Sequence, residues 1–198
     1  MPNEKKQDKP EIKDYSADER YNRRSALITA LLKWLQCEFF GLFIFLSELG
    51  MSPLLGKAGS FIFGTFGLIC YICVMADFGI KEGAKAHVKN TVRGDKVSRS
   101  YGLVLGAASA VPALISYLIL ALSYTGAIGS AVLPFKIMNL GLWGYIDIFA
   151  HTSDIANASS ILLWLYPVLM LLYPLTTYIT FKIGFDNEDL QTKIMYRH

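Results

Sequence analysis

Metal-ligating and redox side chains are scarce in this chain. Its 198 residues include three cysteines and three histidines, and only 18% of them are charged. Cys37, Cys70 and Cys73 all fall in apolar stretches. Cys70-Tyr-Ile-Cys73 has a spacing used by zinc and redox sites, but there is no second pair and no histidine beside it, so the expectation is packing thiols. No P-loop, G-x-G-x-x-G, G-x-S-x-G or H-E-x-x-H occurs, which removes the nucleotide-binding, hydrolase and metalloprotease signatures. No cofactor is read. The net charge of +3 is no nucleic-acid footprint either. Seven basic residues precede Ser25, but six acidic ones are interleaved with them between Glu4 and Glu19.

Apolar length is what the chain has. It is 53% hydrophobic, with a mean hydropathy of +0.37. Crossing about 30 Å of hydrocarbon takes roughly 20 mostly apolar residues in a helix. Four windows meet that, at about 26–48, 58–76, 101–123 and 161–181. Too little remains outside them for a soluble domain with its own core. The expected fold class is an all-α integral membrane protein, a four-transmembrane-helix bundle in one domain over 26–183. No cleavable signal peptide is read, and the first span is expected to be a retained anchor.

The basic residues set the orientation. Seventeen of the nineteen lie in the first 33 residues, between Lys81 and Arg99, or from Lys182 onward; the exceptions are Lys57 and Lys136. Cytoplasmic loops are the ones enriched in Lys and Arg. Both termini are therefore expected in the cytoplasm, in a multi-pass protein of the cell membrane.

The stretch 131–150 is long and apolar enough to suggest a fifth span, but it contains Pro134, Lys136, Asn139 and Asp147. A fifth span would also send the C-terminal basic residues outside. It is read instead as a re-entrant or interfacial segment within an outer cap, 124–160, with Trp143 and Tyr145 at headgroup depth.

Three cytoplasmic pieces remain. Residues 1–25 are polar and expected to be disordered. Between 81 and 99, Lys81, Lys85, Lys89 and Arg93 recur every fourth residue and predict a basic surface helix. Such a helix either anchors the span ends or grips anionic lipid headgroups. Gly184-Phe185-Asp186-Asn187 is expected to stop the last span, with a short amphipathic tail over 184–198.

Gly102, Gly106 and Ala110 form a small-residue stripe on the third span, suited to close helix contact within the protein or in a homo-oligomer. Pro112, Pro167 and Pro174 predict kinks, and the paired Tyr166 and Tyr173 suggest one wall of a cavity.

Glu38 is the most unfavourable residue to place in a bilayer, near the middle of the first span. It shares a helix face with Trp34, Gly41 and Phe45. Lys33, Ser109, Ser116 and Tyr173 are its candidate neighbours in an intramembrane polar site. Three readings are open for it: a coupling or binding carboxylate, structural glue between helices, or a partner for a basic residue of another protein. On the outer side Asp147, His151 and Asp154 have a helical spacing that would suit a metal, against the alternative of a solvated polar cap. Asn157-Ala158-Ser159 is a formal glycosylation acceptor.

The function expected from this pattern is a non-enzymatic subunit or modulator of a larger membrane assembly. Its expected partners are the lipid bilayer and another membrane protein or a second copy of itself, and no nucleic acid. A small transporter or channel using Glu38 is the alternative, and a metal-dependent enzyme at the outer face is a third possibility.

Overall fold

The computed structural model describes residues 21–186. Their regular structure is helical throughout. Four helices are long and apolar enough to cross a membrane: α1 (Arg23–Met51), α2 (Leu54–Arg93), α3 (Tyr101–Tyr124) and α6 (Ile161–Phe185). Between α3 and α6 lie α4 (Val132–Ile137) and α5 (Trp143–Phe149), joined by a 3-10 turn at Leu140–Leu142. The outside of the long helices is apolar: Leu32, Phe39, Phe43, Phe61, Phe66, Leu118 and Trp164 are among the exposed side chains. Water would penalise such a continuous surface, whereas lipid matches it. This is a membrane-embedded, all-helical protein.

The pairing of the helices follows from their contacts. Tyr21 meets Glu82, Glu38 meets Tyr71, and Glu48 meets Ser60. Rising numbers on one side and falling numbers on the other make α1 and α2 an antiparallel hairpin, reversed at Gly56 with φ 52°. A positive φ of this kind favours glycine. Tyr117 and Tyr124 of α3 donate to the carbonyls of Leu163 and Ser159, at 3.1 and 2.8 Å, so α3 and α6 are antiparallel too. The first of these bonds has a covalent cause. Pro167 has no N–H for the carbonyl four residues before it, and the Tyr117 hydroxyl supplies the missing donor. Pro174 likewise leaves the Met170 carbonyl without its helical donor, and the α-helical pattern of α6 is interrupted at Leu171.

Four helix ends converge at one end of the bundle. Asn22 caps α1, its side chain accepting from the Ser25 N–H at 3.0 Å. The Tyr21 N–H donates to Asp95 at 2.8 Å and its hydroxyl to Glu82 at 3.0 Å, while its ring meets Tyr101 edge-on. Burial and the Glu82 carboxylate both push the Tyr21 phenol pKa up, holding it as a donor. Residues 21–25 are thus ordered, where the sequence suggested a disordered tail reaching 25; residues 1–20 lie outside the described residues.

The helix expected along the basic stripe is present as far as Arg93, as a continuation of α2 rather than a separate element. α2 runs without a breaker from the membrane-crossing stretch to Arg93, and ends at Gly94, whose φ of 69° is the left-handed cap position. The side chain of Asn90 then clamps Val97, donating to its carbonyl at 2.9 Å and accepting from its N–H at 3.0 Å. Lys81 pairs with Asp77 at 2.7 Å and Lys85 with Glu82 at 2.6 Å. α6 ends at Phe185, within the stop expected at Gly184-Phe185-Asp186-Asn187, and Gly184 is buried against Ile80 of α2. Asp186 then pairs with Arg99 at 2.8 Å. The expected amphipathic tail lies outside the described residues from 187 onward.

The small-residue stripe on α3 is used internally. A Cβ at Gly102 would stand 2.6 Å from the Phe181 Cβ, and one at Gly106 would run into the backbone of Pro174. Ala110 is buried beside them. Gly106→Ala is therefore expected to destabilise the protein by about 2 kcal/mol, the scale of overpacking against unyielding backbone. A melting curve in detergent unchanged from the parent would refute this.

Candidate functional site

Glu38, Gly41 and Phe45 lie on one face of α1, and a segment of the chain nearly a hundred residues later docks on that face. The 3-10 turn at Leu140–Leu142 enters between α1 and α2. A Cβ at Gly41 would collide with the backbone of Gly141, and one at Gly67 of α2 with its carbonyl. One turn further along, Phe45 packs on Trp143 with ring centroids 4.4 Å apart. Trp143 and Tyr145 are both held by the protein. The Tyr145 hydroxyl is 2.8 Å from that of Thr65, and its ring lies edge-on to Phe61.

Glu38 closes this junction. Its carboxylate is buried, accepts the Tyr71 hydroxyl on Oε1 and accepts the Leu140 N–H on Oε2 at 2.8 Å. The Gly141 N–H adds a further bond. Backbone N–H groups at a tight turn need acceptors once buried, and Glu38 supplies them from a different helix. Each of these contacts uses the side chain as an acceptor, which suits a carboxylate.

A second network sits beside the first. Asn139, fully buried, donates to the Ser116 hydroxyl at 3.0 Å and to the Phe135 carbonyl at 2.7 Å. Its Oδ1 accepts the Tyr166 hydroxyl. Both donors and the acceptor of this amide are occupied, which ties α3, α6 and the 3-10 turn together. The Tyr173 ring stands edge-on to Tyr71 at 5.1 Å. The space against Tyr71 and Tyr173 measures about 10 Å³, enough for one water at most.

Of the residues the sequence offered as neighbours of Glu38, Tyr173 and Ser116 are brought close, the latter through Asn139. Ser109 bonds the Gly106 carbonyl of its own helix. Lys33 is directed outward to Gln36, at 2.8 Å. Tyr71, Asn139 and Leu140 were not among the candidates. An antiparallel hairpin registered on the α1–α2 reversal would have placed Tyr71 level with Glu38, but no sequence signal points to a backbone N–H as the partner.

At the end of the bundle away from Tyr21, Asp147 is the centre of a charged cluster. Lys136 Nζ is 2.6 Å from its Oδ1 and His151 Nδ1 is 2.7 Å from its Oδ2. Lys136 is buried and stands 5.0 Å from the centre of the Trp143 ring, which explains a lysine so far from the other basic residues. Asp154 does not join them. It caps the short turn Ile155–Asn157, accepting from the Ala156 N–H at 3.2 Å. Among the described residues no three His, Cys, Asp or Glu side chains are grouped to hold a metal, so Asp147, His151 and Asp154 are not gathered as the sequence spacing suggested. Asp147 and His151 line a cleft of about 640 Å³ together with Glu48, Lys57, Ser60 and Trp143.

The cysteines are free: Cys37 is buried, Cys70 half-buried and Cys73 exposed. Cys73 thus faces outward, whereas Cys37 is packed inside. Comparison with protein-family models, with curated proteins and with solved structures finds no match.

Proposed function

We propose that this protein is a non-enzymatic component of a larger membrane assembly, inserted with both termini in the cytoplasm and with 131–150 as a re-entrant segment from the outer side. The orientation rests on the basic residues around Arg23, Lys96 and Arg99, which meet at one end of the bundle. Re-entry rests on the Leu140 N–H reaching Glu38 near the middle of α1.

The observation that carries the functional reading is the length of α2. Forty residues make a helix of about 60 Å, twice the thickness of the hydrocarbon. The length beyond the hydrocarbon stands outside the bilayer, and at the Arg93 end it carries the Lys81, Lys85, Lys89 and Arg93 stripe toward a partner or anionic headgroups. The interior argues in the same direction. Glu38 is occupied by bonds to its own protein, and the space beside Tyr71 and Tyr173 is no larger than one water. These features favour structural glue over a coupling carboxylate.

Val92 is 65% exposed near the tip of α2. A photocrosslinking residue at that position, activated in native membranes, is expected to give one discrete protein adduct. Monodisperse protein with no stoichiometric adduct would overturn the proposal.

A further inference from the structure

The cleft between the α1–α2 reversal and α5 does not balance its charges residue by residue. Asp147 is matched by Lys136 and by His151. Glu48 is only 3% exposed, receives Ser60 on its carboxylate and shares the field of Lys136 with Asp147, and has no hydrogen-bond partner for Oε2 among the described residues. A buried carboxylate oxygen without a donor is unfavourable unless something that enters the site supplies one. Lys57 lines the same cleft, but it is exposed.

We propose that this cleft binds a primary ammonium group, which donates to Glu48 Oε2. The cleft is of ordinary size for a small-ligand site. Trp143 forms its apolar wall, and the exposed Lys57 and His151 lie where they meet an anionic portion of the same ligand. A primary ammonium has the N–H donors that the orphaned oxygen needs; a quaternary ammonium has none. The ligand is thus a zwitterion that joins an amine to an acid, drawn either from solution or from the headgroup of an aminophospholipid. This inference uses the membrane setting but not the assembly role, and each can fail without the other.

Full-length protein in nanodiscs of phosphatidylcholine and phosphatidylglycerol, titrated with phosphoethanolamine and separately with phosphocholine, tests the soluble source. Native mass spectrometry of protein from nanodiscs containing equal phosphatidylethanolamine and phosphatidylcholine tests the lipid source. Saturable binding of phosphoethanolamine, about tenfold tighter than phosphocholine, or selective retention of phosphatidylethanolamine, is expected in at least one arm. Glu48→Gln should weaken that binding by about tenfold or more, while raising the melting temperature of the unliganded protein because the unpaired charge is gone. Lys57→Ala should leave the unliganded melting temperature unchanged. The proposal is overturned if neither arm shows preference for the primary amine, if Glu48→Gln binds as the parent does, or if either substitution lowers the unliganded melting temperature, since Glu48 would then be matched within the protein.

Discussion

Glu38→Ala is expected to remove about 3 kcal/mol of stability, because it strands the Tyr71 hydroxyl and the Leu140 N–H together in the interior. For a chain of this length that is a fall of roughly 6–12 °C in the melting midpoint. The size of the effect follows from what is left behind. Both donors are left inside the protein, where an unmet donor carries its full desolvation penalty. Tyr71→Phe removes only one of the donors and should lose about 1 kcal/mol. Glu38→Gln should fall between the two, since its amide keeps one acceptor but sets an NH₂ group against a donor. In a double-mutant cycle Glu38 and Tyr71 should couple by at least about 1 kcal/mol. Thermal unfolding of the parent and these four variants in one detergent measures all of this. A Glu38→Ala protein as stable as the parent, with proteoliposome transport abolished, would make Glu38 a functional carboxylate rather than structural glue.

The second large effect is expected at Lys136. Lys136→Met should destabilise the protein by about 3 kcal/mol, the loss typical of one partner removed from a buried ion pair. It leaves Asp147, which is 16% exposed, with only His151 beside it. His151 is 88% exposed, so the solvent screens that contact and His151→Ala should cost less than about 1 kcal/mol. The contrast separates a structural pair from a surface one. The double substitution Lys136→Met with Asp147→Leu should recover most of the loss, because Asp147 is then no longer left without its partner. Melting midpoints of the three variants decide the matter; equal effects at Lys136 and His151 would show that neither contact is buried in the working protein.

These residues show where the sequence was informative. Glu38, Gly41 and Phe45 were visible as one face, because helical periodicity alone puts them there. What that face receives was not visible, since the turn at Leu140 is about a hundred residues away and docks through backbone N–H groups that carry no side-chain signature. Gly102 and Gly106 marked a close approach, but their partner had to be read from the fold: Phe181 and Pro174 come from the last span. Lys136 stood out only as an exception to the charge pattern. Its explanation needed Asp147 and Trp143, which another helix carries. The acidic and imidazole groups at 147, 151 and 154 share a helical spacing, yet the helix ends at Phe149, so the third member turns away to cap its own loop.

The sequence by itself determined that the chain is helical and embedded in a membrane, because apolar length and the solvation of the backbone leave few alternatives. It also determined which residues would be unfavourable there, Glu38 and Lys136 among them. Only the tertiary structure decided how those residues are accommodated. Periodicity and composition are local properties of the chain, whereas a buried charge is satisfied by whatever the fold brings to it, and for Glu38 that is a backbone turn from the far side of α3.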